Sequence, residues 1–108
     1  EVIEAGYEFL LAYAAQGRES AEGAGGKSEV RTTLAGMSEA AGNVVAALDG
    51  LDHDFARVVV DDARKSLAAI ALVAAQPAIS SELVDNLNAS IHLRALLTDL
   101  FLLSEAPL

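Results

Sequence analysis

Hydrophobic residues recur at helical spacing along most of this chain, and the clearest example lies between residues 29 and 48. Apolar side chains return there at alternating steps of four and three residues: Val30, Leu34, Met37, Ala41, Val44 and Leu48. This spacing places them along one side of a helix as a continuous seam, which is typical of helices that pack side by side. The pattern predicts a helix over residues 29–48 whose seam lies in the core.

Three further segments have the same periodicity and predict helices over residues 2–16, 52–76 and 81–104. No alternation typical of a β-strand persists along the sequence. The chain has 108 residues, enough for one domain and too few for two. The predicted fold is therefore all-α, an antiparallel up-down-up-down four-helix bundle that forms a single domain over residues 1–108.

The predicted helix ends follow from residues that favour such positions. Asp52 is expected to be the N-cap of the third helix, and the fourth helix is expected to begin at Ser80 or Ser81. Between the first two helices, residues 17–28 contain three glycines within four positions, which weaken a helix. This segment, with Gly23, Gly25 and Gly26, is predicted to form a flexible loop and to be the most mobile internal part of the chain.

The second half of the last predicted helix is apolar around most of its circumference. In a bundle each helix buries about half of its surface, and the outer half of this one offers mainly Asp99 and His92 as polar groups. Monomers seldom expose a contiguous apolar patch of that size. The sequence therefore predicts a homo-oligomer, a dimer as first choice, with an interface formed by Leu93, Leu96, Leu97, Leu100, Phe101 and Leu103. The alternative is that the first helix and its loop cover this surface within one chain.

The charge balance narrows the range of partners. The chain has 7 Lys and Arg against 16 Asp and Glu, and its net charge is −9. Nucleic acids and anionic membrane surfaces require clustered basic side chains, so neither is expected as a partner. The longest apolar run, residues 67–75, is shorter than the ~20 residues that cross a bilayer. With no cysteine and no recognisable signal peptide, a cytoplasmic location is the expectation.

Motifs for chemistry are weak. Residues 25–28 have the sequence GGKS, but Ala21 lies where a phosphate-binding loop requires glycine, and a helix precedes the segment instead of a strand. Small all-α nucleotide pyrophosphatases bind magnesium through Glu-x-x-Glu and Glu-x-x-Asp pairs, and Glu1/Glu4 and Glu82/Asp85 resemble these pairs. Both pairs also lie in the first turn of a predicted helix, where acidic residues favour the helix dipole.

The sequence therefore assigns no catalytic, cofactor-binding or metal-binding residue and predicts no cofactor. It favours a non-enzymatic helical interaction or assembly module that self-associates, with a separate protein as a further partner to consider. A small all-α metal-dependent nucleotide hydrolase, using paired helix carboxylates, is the alternative.

Overall fold

The computed structural model describes the backbone of residues 2–16 and 24–108, and the side chains of residues 2–9 and 29–108. These residues form five α-helices and no strand, which confirms the all-α prediction for the described part of the chain. None of the helices is long and apolar enough to cross a membrane. The helices are α1 (Val2–Gln16), α2 (Ala24–Leu48), α3 (Asp54–Ala74), α4 (Ser81–Ala89) and α5 (Ile91–Glu105).

Helix α2 begins earlier than the sequence predicts. It starts at Ala24, so Gly25 and Gly26 lie inside the helix, and their assignment to a loop was wrong. A glycine in a helix costs only about 1 kcal/mol relative to alanine. That cost does not prevent a helix from extending backwards when its later turns are already anchored by tertiary packing. The rest of the predicted loop, residues 17–23, and the prediction of its mobility lie outside the described residues.

The N-cap of α3 is His53, so the prediction of Asp52 was wrong. His53 has an extended backbone, and its Nδ1 accepts a hydrogen bond of 3.1 Å from the Phe55 amide. In the turn before α3, Gly50 has a left-handed backbone conformation, with φ of +88°. Helical geometry begins only at Asp54. An imidazole nitrogen in that position accepts the amide proton as a carboxylate would. Asp52 instead forms an ion pair with Arg57.

The predicted fourth helix is divided in two at Ser90, whose backbone is extended (φ −63°, ψ 140°). The Ser90 amide donates to the Leu87 carbonyl at the end of α4, and its Oγ accepts from the Leu93 amide at the start of α5. Serine favours such positions because its hydroxyl replaces a helical hydrogen bond. The predicted start of the segment is confirmed, since Ser80 caps α4 by accepting from the Leu83 amide at 3.0 Å.

The core forms where α2 packs on α3, α3 on α5, and α1 on α2 and α4. The first four positions of the α2 seam are fully buried, whereas Val44 and Leu48 are only half-buried against the core. The other helices contribute aliphatic side chains to the same cluster: Ile3, Val59, Ala63, Ile70, Val73, Val84, Leu87, Leu93 and Leu96. The predicted seam is therefore confirmed at its first four positions, and α1 and α3 are the helices that pack on α2.

Contact between α1 and α2 depends on a glycine. A Cβ atom added at Gly6 would lie 2.5 Å from Met37 Cγ and 2.6 Å from its Sδ, and Met37 is fully buried. We expect Gly6→Ala to lower the free energy of unfolding by about 1–2 kcal/mol in urea denaturation, because overpacking costs more than the gain in helix propensity.

Gly42 in α2 provides the matched control for this substitution. No heavy atom lies within 4 Å of a Cβ built there, so Gly42→Ala is expected to raise stability by about 0.5–1 kcal/mol. Equal stabilisation by both variants would show that the space at Gly6 is not limiting.

Candidate functional site

The outward face of α5 has an unusual composition. Residues at steps of three and four along it are all exposed, and the same spacing continues to the residue at the chain end: Ile91, Arg94, Thr98, Phe101, Glu105 and Leu108. We call these six residues the α5 outer stripe. Ile91 is 74% exposed and Phe101 65% exposed, and Leu102 beside the stripe is also exposed. Large apolar side chains are therefore in contact with solvent at the start of this helix and in its last turns.

The structure divides the six residues predicted for an oligomer interface between the interior and the surface. Leu93 and Leu96 are fully buried in the core of the chain itself. Leu97, Leu100 and Leu103 are half-buried and pack against that core. Phe101 is the one member of the set that lies fully at the surface.

Three exposed apolar residues near Phe101 were absent from the predicted set: Ile91, Leu102 and Leu108. The spacing of Ile91 from Phe101 could have indicated a shared face of α5. Nothing in the local pattern shows that this face points outward.

One of the two polar residues predicted for the outer face of α5, Asp99, is buried, so that expectation was wrong for Asp99. Asp99 is only 6% exposed and His92 is half-buried, with the His92 carbonyl accepting a 3.0 Å hydrogen bond from the buried Ser66 hydroxyl. Because α5 is apolar on nearly every side, its own pattern does not determine which side packs inward. The break at Ser90 allows α5 an orientation independent of α4.

A cleft of about 500 Å³ lies between α1 and α5, next to the stripe. Its walls are largely apolar, and two acidic residues of α1 lie along one edge. It is lined by Glu4, Tyr7, Glu8, Leu97, Leu100, Phe101 and Ser104. The Ser104 hydroxyl donates to the Phe101 carbonyl at 2.6 Å. Phe101 thus belongs both to the outer stripe and to the wall of the cleft.

A pair of carboxyl groups, Asp62 on α3 and Asp99 on α5, is the most chemically perturbed feature among the described residues. Burial raises the pKa of Asp99 from 3.8 to about 7, and hydrogen bonding to Asp62 and repulsion from its charge act in the same direction. If both groups were ionised, neither could donate a hydrogen bond to the other. Asp99 Oδ2 is buried without a hydrogen-bond partner. A proton held by the pair supplies the missing hydrogen bond, so Asp99 is a weak acid near neutral pH.

The basic residues near the α2–α3 turn are paired with acidic ones. Arg57 binds Asp54 at 2.8 Å, and Arg64 binds Asp49 at 2.9 Å. Lys65 binds its own helix at Asp61, at 3.0 Å. These side chains are exposed, and such pairs contribute at most about 1 kcal/mol each. Their positive charge is already balanced by carboxylates on the same surface.

The acidic residues considered for magnesium lie on two different helices. Glu82 and Asp85 are exposed on α4, and Glu4 is exposed on α1, whereas Glu1 lies outside the described residues. Within the described part of the chain, no three His, Asp or Glu side chains converge as potential metal ligands.

The α5 outer stripe and the adjoining cleft therefore form an apolar surface that packing among the described residues leaves open. Phe101 joins the two features, and Tyr7 on α1 lies across the cleft. Comparison with protein-family models, curated proteins and solved structures finds no match for this chain.

Proposed function

We propose that this protein is a non-enzymatic helical module that self-associates, as a homodimer in the first instance, through the α5 outer stripe. The observation that supports this proposal is the 65% exposure of Phe101, in the second half of a helix whose same face also exposes Ile91. Burial of such a side chain stabilises an interface by about 1.5–3 kcal/mol. Aromatic residues near the centre of an interface commonly contribute most of its binding energy.

A second copy of the chain is the occupant that this surface suits best. A two-fold axis brings the same patch of the two copies together, so the exposed apolar residues of each copy are buried against the other copy. The cleft beside Phe101 has the apolar walls of Leu97 and Leu100, which provide space for an aromatic side chain from the other copy.

We also infer that the helices form the antiparallel up-down-up-down four-helix bundle, with α4 and α5 together occupying the fourth position. Arg31, in the first half of α2, donates to the carbonyls of Ala74, the last residue of α3, and of Gln76 just after it. Asp49, just after α2, binds Arg64 in the middle of α3. Such an arrangement leaves the outward face of α5 uncovered by the other helices of the chain.

The nucleotide hydrolase and the cytoplasmic location stay predictions from the sequence. Glu82 and Asp85 lie about one turn apart on α4, and among the described residues no third His, Asp or Glu joins them as a potential metal ligand.

Phe101→Glu is expected to convert the dimer into a folded monomer. The substitution removes apolar burial from both copies and places two carboxylates in the interface. The expected rise in the dissociation constant is at least ~100-fold, since two lost side-chain burials exceed the ~2.7 kcal/mol that this factor represents. Sedimentation equilibrium at concentrations from one to one hundred micromolar measures the constant, and circular dichroism checks the fold.

Leu72→Glu is the matched control because Leu72 is 66% exposed and lies on α3, outside the stripe. It is expected to leave the dissociation constant unchanged. A monomeric mass for the unmodified chain over this range, or equal effects of the two variants, would overturn the proposal.

A further inference from the structure

We infer that the two copies pair their α5 helices antiparallel, in the register that places Arg94 of each copy against Glu105 of the other. This inference rests on the proposed self-association and adds the orientation and register of the partner. The chemistry that defines the partner is the alternation of apolar and charged groups along the α5 outer stripe itself.

The spacing of the stripe matches that of a helix–helix seam. Its five helical members, from Ile91 to Glu105, follow one another at steps of three, four, three and four residues. Such alternation keeps side chains aligned along the line of contact between two packed helices. Since all six members are exposed, the seam is available to a second helix without rearrangement of the chain.

In the antiparallel register each pair of facing residues, which we call a layer, joins two different residues of the stripe, and the charged residues face opposite charges. When Arg94 faces Glu105 of the second copy, Thr98 faces its Phe101. Ile91 then lies beyond the last turn of the second copy's α5, which ends at Glu105. By symmetry each of these layers occurs twice, once on either side of the two-fold axis.

A parallel pairing in register would instead place Arg94 against Arg94 and Glu105 against Glu105. Like charges in contact disfavour an interface, whereas opposite charges select the orientation. Charge therefore distinguishes the two orientations, while the apolar residues alone would permit both.

Arg94 and Glu105 are also free to pair across an interface. Within the described part of the chain neither side chain forms an ion pair, in contrast to Arg57, Arg64 and Lys65. They lie about 16 Å apart along α5, at ~1.5 Å per residue, so they cannot reach each other within one copy. An antiparallel partner brings each beside its opposite.

Charge reversal tests the register directly. Arg94→Glu and Glu105→Arg each turn two attractive layers into two repulsive ones, and each is expected to raise the dimer dissociation constant ~10-fold or more. The double variant restores both layers with the charges exchanged and keeps the original net charge. Its dissociation constant is expected to return to within ~3-fold of the unmodified chain, a range typical of rim charge pairs. Sedimentation equilibrium at low ionic strength measures all four proteins.

Glu39→Arg, at an exposed position on α2, controls for the change in net charge and is expected to leave the dissociation constant unchanged. A double variant whose dissociation constant stays as high as that of the single variants would overturn the register. That result would leave the proposed self-association standing if Phe101→Glu still produces monomers. A monomeric unmodified chain would overturn both the register and the proposed function.

Discussion

Asp99→Asn is expected to stabilise the protein at pH 8 by on the order of 2–4 kcal/mol while changing its stability little near pH 4. The pKa of Asp99 is about 7 in the folded chain because the carboxyl group is buried beside Asp62. In the unfolded chain it returns to about 3.8. Above neutral pH the folded protein must therefore bury a negative charge that water solvates in the unfolded state. Asparagine retains the shape of the neutral acid and can donate a hydrogen bond to Asp62.

The direction of the pH effect follows from proton binding. Below pH 3.8 Asp99 is protonated in both states, so this group favours neither of them. Between that pH and about 7 only the folded state holds the proton, and stability falls as the pH rises, by at most about 1.4 kcal/mol per pH unit. Above about pH 7 Asp99 is ionised in both the folded and the unfolded chain, and the lost stability no longer changes with pH.

Urea denaturation from pH 4 to pH 9 measures the effect as the difference between the variant and the unmodified chain. Asp85→Asn, which removes an exposed carboxylate from α4, is the control and is expected to give a nearly constant difference. For Asp62→Asn the stability difference is expected to change with pH less than for Asp99→Asn and more than for Asp85→Asn, because the substitution removes the neighbouring charge and leaves Asp99 buried. Parallel pH curves for Asp99→Asn and the unmodified chain would contradict a protonated carboxyl group in the core.

Leu34→Ala is expected to lower the free energy of unfolding by about 2–5 kcal/mol, the usual range for a buried leucine. Leu34 is fully buried in the first half of the α2 seam, within the cluster that joins α1, α2, α3, α4 and α5. Truncation removes apolar contacts and leaves a cavity that rigid helices fill only in part.

Leu72→Ala is the matched comparison, since the same side chain is 66% exposed there. It is expected to change stability by no more than about 0.5 kcal/mol. Thermal and urea unfolding of both variants provide the measurement. A loss below that limit for Leu34→Ala would mean that the α2 seam does not form the core.

The amino-acid sequence alone determined the helical content of the described residues and the buried face of α2. Val30, Leu34, Met37 and Ala41 repeat at a spacing that only one side of a helix satisfies. The start of α4 was likewise predictable, because a serine hydroxyl that replaces a missing helical hydrogen bond acts over three residues. Such features depend on neighbours along the chain.

Tertiary structure decided the helix ends at Ala24, His53 and Ser90, where local preferences differ by no more than about 1 kcal/mol. Packing energies are larger and select among such close alternatives. The glycines of α2 became helical for this reason, and one predicted helix became α4 and α5.

The orientation of α5 was the most consequential of these decisions for function. Its sequence is apolar around most of the cylinder, so several rotations about the helix axis would each bury a comparable number of leucines. Contacts with α3 select the rotation that buries Leu93, Leu96 and Asp99 and leaves Phe101 in solvent. A periodic pattern identifies a buried side only when the opposite side is polar. Where every side is apolar, only the shape and chemistry of the neighbouring helices determine which residues remain available to a partner.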